Sequence, residues 1–97
     1  MNDSDLRLTI FISFLGAIGK DIRALAYDYT NNTFNIYGYL DREPIDADYE
    51  TIDIAVSEIM ASYPHFQYQN IKLVKSNDPI GKLASYKGWI FIRHETQ

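Results

Sequence analysis

IRALAYDYTNNTFNIYGYL, residues 22–40, reads as a β-hairpin turning at Asn31-Asn32. Aromatic and β-branched residues crowd both flanks, and asparagine tolerates the positive φ that tight hairpin turns demand. If Thr30 pairs with Thr33, the register follows. One face then carries Leu25, Tyr27, Tyr29, Phe34 and Ile36, which is a core face. The other carries Ala24, Ala26, Asp28, Asn35, Tyr37 and Tyr39. Two tyrosines over alanines suit a covering helix or another protein.

Upstream, residues 4–19 (SDLRLTIFISFLGAIG) fit either period. As a strand, Leu6, Leu8, Ile10, Ile12 and Phe14 share a face. As a helix, Asp5, Thr9, Ser13, Gly16 and Lys20 form one narrow polar stripe on an otherwise apolar cylinder. Ser4 or Asp3 can cap it, and acids in the first turn suit the helix dipole. Gly16 and Gly19 favour a helix tail, so a helix is expected. Arg7 then falls inside the apolar arc, where it must snorkel or pair.

Downstream, Asp41-Arg42-Glu43-Pro44 is a polar connection, and Pro44 cannot donate to a ladder. A second helix follows, capped by Asp46 or Asp48. Tyr49, Ile52, Val56, Ile59 and Tyr63 form its apolar stripe, widened by Ala55 and Met60, and Pro64 stops it. Glu50, Asp53, Ser57 and Glu58 face away, with Ile54 among them. Residues 67–75 read as a third strand with Ile71 and Leu73 on one side. Residues 76–87 read as a loop. Trp89 to Arg93 read as a fourth strand whose continuous apolar run suggests a central position, covered on both faces. The fold class expected is α+β in αββαββ order: a single domain with a four-stranded, mainly antiparallel sheet packed with two helices. The hairpin's core face belongs to the second helix, and the first helix is the natural cover for Tyr37 and Tyr39.

Ninety-seven residues with 46% hydrophobic and 14% aromatic content suffice for one folded core. There is no cysteine, which removes disulfide frameworks and thiol chemistry. A net charge of −4 disfavours direct nucleic-acid binding and favours a basic partner. The apolar run Leu8 to Ile18 is too short to span a bilayer, and its acidic flank is unlike a signal peptide. A cytoplasmic, soluble protein without membrane contact is expected.

Catalytic patterns are sparse. His65 and His94 each sit at an element end, without a metal-binding partner at helical spacing. The serines lack a nucleophile-elbow context, and the glycines form no phosphate cradle. Seven of the thirteen acids fall at Asp41, Glu43, Asp46, Asp48, Glu50, Asp53 and Glu58. Their spacing does not match a calcium loop. They read either as a solvated, dipole-matched helix start or as a docking surface for a basic partner. No cofactor, metal or enzymatic activity is expected.

FLGAIGKDIRALAYDY (14–29), FNIYGYLD (34–41), SEIMASYP (57–64) and GWIFIRHE (88–95) are spread over most of the chain. In these segments and their arrangement the chain resembles small bacterial immunity proteins of contact-dependent growth inhibition and related polymorphic-toxin systems. The resemblance implies a cytosolic, non-enzymatic protein that binds a cognate toxin domain, commonly a nuclease with a basic cleft, and blocks its active site. It fixes no contact residues. Those are read from the surface: Asp41, Glu43, Asp46, Asp48, Glu50, Asp53, Ile54 and Glu58, with Tyr37 and Tyr39 if their face is open. Two other readings stand beside it. A small ligand-binding domain would need a deep pocket holding His65 or His94. A regulatory or oligomeric subunit would need an open, self-associating sheet face.

Overall fold

The computed structural model describes residues 3–95. In chain order the elements are α1 (Asp3–Ser13), β1 (Ile22–Tyr29), β2 (Thr33–Leu40), α2 (Asp46–Ser62), β3 (Tyr68–Lys75), a short 3-10 turn (Ile80–Lys82) and β4 (Gly88–Ile92). This is the expected αββαββ, α+β arrangement. The sheet order is β3-β2-β1-β4. β1 pairs antiparallel with both β2 and β4, while β2 and β3 run parallel. A parallel pair needs a long crossover, and α2 supplies it.

The hairpin lies where its local sequence places it. Tyr29 pairs with Phe34, Tyr27 with Ile36, Ala26 with Tyr37 and Ala24 with Tyr39. The turn differs from expectation. Among the described residues the one non-glycine with positive φ is Tyr86, so neither asparagine adopts the left-handed region. The loop closes through the Thr30 N–H donating to the Thr33 carbonyl at 2.9 Å. The Asn32 Oδ1 also accepts from the Thr33 hydroxyl at 3.1 Å. The Asn32 carbonyl meanwhile accepts from Gln67 and Tyr68, tying the turn to the start of β3.

Both helices lie on one face of the sheet. Leu6 and Ile10 of α1 with Phe14 just after it, and Ile52, Ala55, Val56 and Ile59 of α2, join Leu25, Tyr27, Phe34, Ile36, Leu40, Phe66 and Leu73 in one buried cluster. Burial of that apolar surface is the main force holding the layers together. The first helix is therefore a helix, but it ends at Ser13 and does not cover Tyr37 and Tyr39. Its Ser4 lies within the first turn, and the side chain of Asp3, the other candidate cap, lies outside the described residues, as do Thr96 and Gln97 of the polar tail. Arg7 reaches solvent, beside Tyr27, Tyr29 and Lys87.

The opposite sheet face is closed by residues 76–87. Tyr86 stacks on Tyr37 with ring centroids 3.8 Å apart. The Tyr39 hydroxyl donates to the Ala84 carbonyl at 2.9 Å, and Trp89 meets Tyr39 edge-on. A loop expected to pack little is thus the cover for this face. β4 is an edge strand rather than a central one. Its unbroken apolar run reflects cover above and below: Trp89 packs under the loop, and Ile90 and Phe91 pack against the core. Hydrophobicity reports which faces are covered and says nothing about lateral neighbours.

Candidate functional site

The outer surface of the helical layer is where the sequence-predicted acids gather, and α2 presents them. The helix holds because Ile52, Ala55, Val56 and Ile59 recur at helical spacing and are buried. Its N-cap is Ile45, so neither Asp46 nor Asp48 is the cap; both sit in the first turn, where acids match the dipole. Asp48 instead reaches back. It accepts the Ile45 N–H at 2.8 Å and a two-pronged contact from Arg42 at 2.7 and 2.9 Å. Arg42 also donates to Asp21 at 3.0 Å, which fastens the start of α2 to the α1–β1 connection. Those hydrogen bonds from Arg42, more than the Ile45 N–H, hold the Asp48 carboxyl below the usual carboxylate range.

The ten candidate residues divide accordingly. Asp41 is held by Arg93, which brackets it with both guanidinium nitrogens and keeps its carboxyl low. Asp48 is held by Arg42, and Asp53 accepts from Gln69 on β3. Tyr37 and Tyr39 lie under the loop, and burial pushes both phenols above their ordinary range. Those five serve the fold. The remaining five are Glu43, Asp46, Glu50, Ile54 and Glu58, all exposed. Among the described residues the side chains of Glu43, Asp46, Glu50 and Glu58 make no hydrogen bond or ion pair. Asp46, Glu50, Ile54 and Glu58 are spaced i, i+4, i+8, i+12, so they form one ridge along the helix. The whole of α2 contains no basic residue, and Ile54 stands 65% exposed in the middle of the ridge.

The other readings find less support in the geometry. His65 packs against Phe66, with ring centroids 4.2 Å apart. His94 borders an open depression beside Arg93 and Asp41. Among the described residues no three His, Asp or Glu side chains gather in a metal-holding group. The sheet face that self-association through tyrosines would use is occupied by the loop. No helix among the described residues is long and apolar enough to cross a membrane.

One surface was not singled out by sequence. α1 buries Leu6 and Ile10, with Phe14 continuing the buried row just past its end, and turns Leu8, Phe11 and Ile12 outward, with Leu15 exposed after it. The signal was present: a helix whose apolar arc is wider than the side it can lay on the sheet must expose part of its apolar surface.

Residues 3–95 match the family described as MafI2 immunity protein. No curated protein sequence matches the chain.

Proposed function

The chain belongs to the MafI2 immunity protein family, and from that membership we propose that it neutralises a cognate toxin domain by laying the acidic ridge of α2 over a basic active-site cleft, most simply that of a nuclease. Its family makes it an immunity protein of polymorphic-toxin type with a toxin as partner. The family is in general non-enzymatic, and the chain acts as a stoichiometric inhibitor in the cytoplasm of the protected cell. Delivery of the toxin by contact-dependent growth inhibition fits the same reading.

The observation that carries the proposal is the ridge Asp46-Glu50-Ile54-Glu58. Among the described residues its acids have no side-chain partner, whereas Asp41, Asp48 and Asp53 of the same run are used within the fold. Like charges at i, i+4 repel, so the Asp46–Glu50 pair is mildly destabilising, and Glu58 adds to the same negative face. A basic partner converts that repulsion into attraction. A nuclease cleft is built to hold phosphates, so a row of carboxylates on a rigid helix meets the same positive field. Long-range attraction of this kind raises the association rate more than it raises affinity.

Reversing Glu50 and Glu58 to lysine tests it. Both side chains are exposed, so the fold is expected to stand. Binding to the cognate toxin domain, carrying a substitution that abolishes its toxicity, is followed by surface-immobilised kinetics. The association rate is expected to fall about tenfold or more at low salt, and its salt dependence to flatten. An association rate equal to that of the native chain at low salt would remove the acidic ridge from the interface.

A further inference from the structure

Resting on the toxin-neutralising reading above, we infer that the outward face of α1 is the anchor of the interface: Leu8, Phe11, Ile12 and the neighbouring Leu15 enter an apolar cleft on the toxin, and the α2 acids meet the basic rim of that cleft. Leu8 is 59% exposed, Ile12 57% and Leu15 77%. At about 100° per residue, Leu8 and Ile12 fall within about 40° of arc on the side away from the buried Ile10, and Leu15 follows just past the helix end. Phe11 widens the patch at 39% exposure. Scattered single apolar residues on a surface are ordinary, but a contiguous group on one helix face marks a docking site.

The occupant follows from charge. α1 and α2 pack against each other on the same sheet face, so their outer surfaces belong to one layer. That layer is apolar on α1 and acidic on α2, with Ile54 extending the apolar character into the acids. A second copy of the chain would bring acids against acids, with a net charge of −4 on each partner. A toxin surface with an apolar floor and positive edge complements both halves. Protein interfaces are built this way, with a desolvated apolar centre and a charged rim. The two parts then govern different rates. Rim charges set the speed of encounter, and the buried anchor sets the residence time.

The test uses the chain with Leu8→Ser, Ile12→Ser and Leu15→Ser together, and a companion with Ile12→Met alone. The probe is the same inactivated toxin domain. All three sites are exposed, so the urea midpoint of the triple variant is expected to match that of the native chain; the companion keeps apolar bulk and controls for disturbance of the helix. The dissociation rate of the triple variant is expected to rise about 100-fold, the association rate to change by less than about threefold, and the companion to behave as native. A rise in dissociation rate below about tenfold overturns the inference. So does a native chain that sediments as a dimer which the triple variant breaks while toxin dissociation stays native, because a second copy then occupies this face. Failure of the native chain to bind the toxin at all defeats the toxin-neutralising reading itself. Native binding with an unaffected triple variant defeats only the role of α1.

Discussion

Arg23 is the charged side chain buried among the described residues, and its partners explain how the end of the chain is fixed. It sits at the irregularity in the β1–β2 ladder between Ile22 and Ala24. Its guanidinium donates to both oxygens of Glu95 at 2.8 Å and to the Ser76 carbonyl at 2.8 Å. Glu95 also accepts from Arg93, which in turn brackets Asp41. A buried cation is tolerable only when paired and hydrogen-bonded, and this one is. The hydrogen bonds from Arg23, and secondarily from Arg93, hold the Glu95 carboxyl down at about 2. A carboxyl depressed in the folded state adds stability that is complete above its ordinary value of about 4.3 and is lost as pH falls toward the folded value. Glu95→Gln is therefore expected to destabilise the protein most at pH 6, and progressively less at pH 4 and pH 2.5. Urea midpoints at the three values check this; a difference independent of pH would mean that the charge of Glu95 does not contribute. Asp41, also held low, leaves part of the acid slope in place in the variant. Arg23, Asp41 and the Arg93–Glu95 pair lie far apart in sequence, and no spacing rule brings the three places together. For that reason Asp41 was legible as an exposed acid but not as a structural one.

At the level of elements, what was readable followed from local rules. The hairpin register came from alternation about a short turn, and the buried stripe of α2 from helical spacing. The neighbours of β4 and the resting place of α1 depend on contacts between segments remote in sequence, so neither could be read. The end of α1 has a local cause that composition only hinted at. After Ser13 the chain turns, with the Ala17 N–H donating to the Phe14 carbonyl at 3.0 Å, and Gly16 adopts φ +82°. A side chain at Gly16 would meet no atom within 4 Å. The demand for glycine is thus conformational, not steric: an L-residue there suffers the left-handed backbone penalty alone. Gly16→Ala is expected to cost about 1 kcal/mol, seen as a lowered urea midpoint with an unchanged denaturant slope. A midpoint equal to that of the native protein would show that the turn relaxes without loss. Because α1 carries the apolar face, a frayed end should also loosen Leu15, the most exposed member of the patch.

On the scale of the whole molecule, one sheet separates two unlike surfaces. On one side two helices bury the core and present an acidic ridge and an apolar face. On the other, the loop of residues 76–87 covers Tyr37 and Tyr39. The exposed ridge was visible in the sequence because Asp46, Glu50, Ile54 and Glu58 keep one helical spacing. The covering of the tyrosines was not visible, because it depends on a loop returning from 45 residues away in the case of Tyr39 and Ala84. The loop is held by few attachments. Tyr86 stacks on Tyr37, and it does so from a left-handed backbone at φ +52°, which opposes the gain from stacking. The Lys87 N–H donates to the Tyr27 carbonyl at 3.0 Å, and the Lys87 ammonium lies over the Tyr29 ring at 4.8 Å. A segment so attached opens locally at a lower free energy than the central β1–β2 ladder. Tyr86→Ala removes the stack, worth about 1 kcal/mol, and keeps the strained backbone. Hydrogen exchange of the Lys87 amide is expected to speed up about fivefold to tenfold, while the amides joining β1 to β2 exchange at their native rates. Equal acceleration of both sets would mean that the loop and the sheet unfold as one unit. Since the Tyr86 ring lies on Tyr37, behind the sheet from the helices, the same variant is expected to keep native association and dissociation rates with the toxin. A change in either rate would place the tyrosine face in the interface and move the binding site to the other side of the molecule.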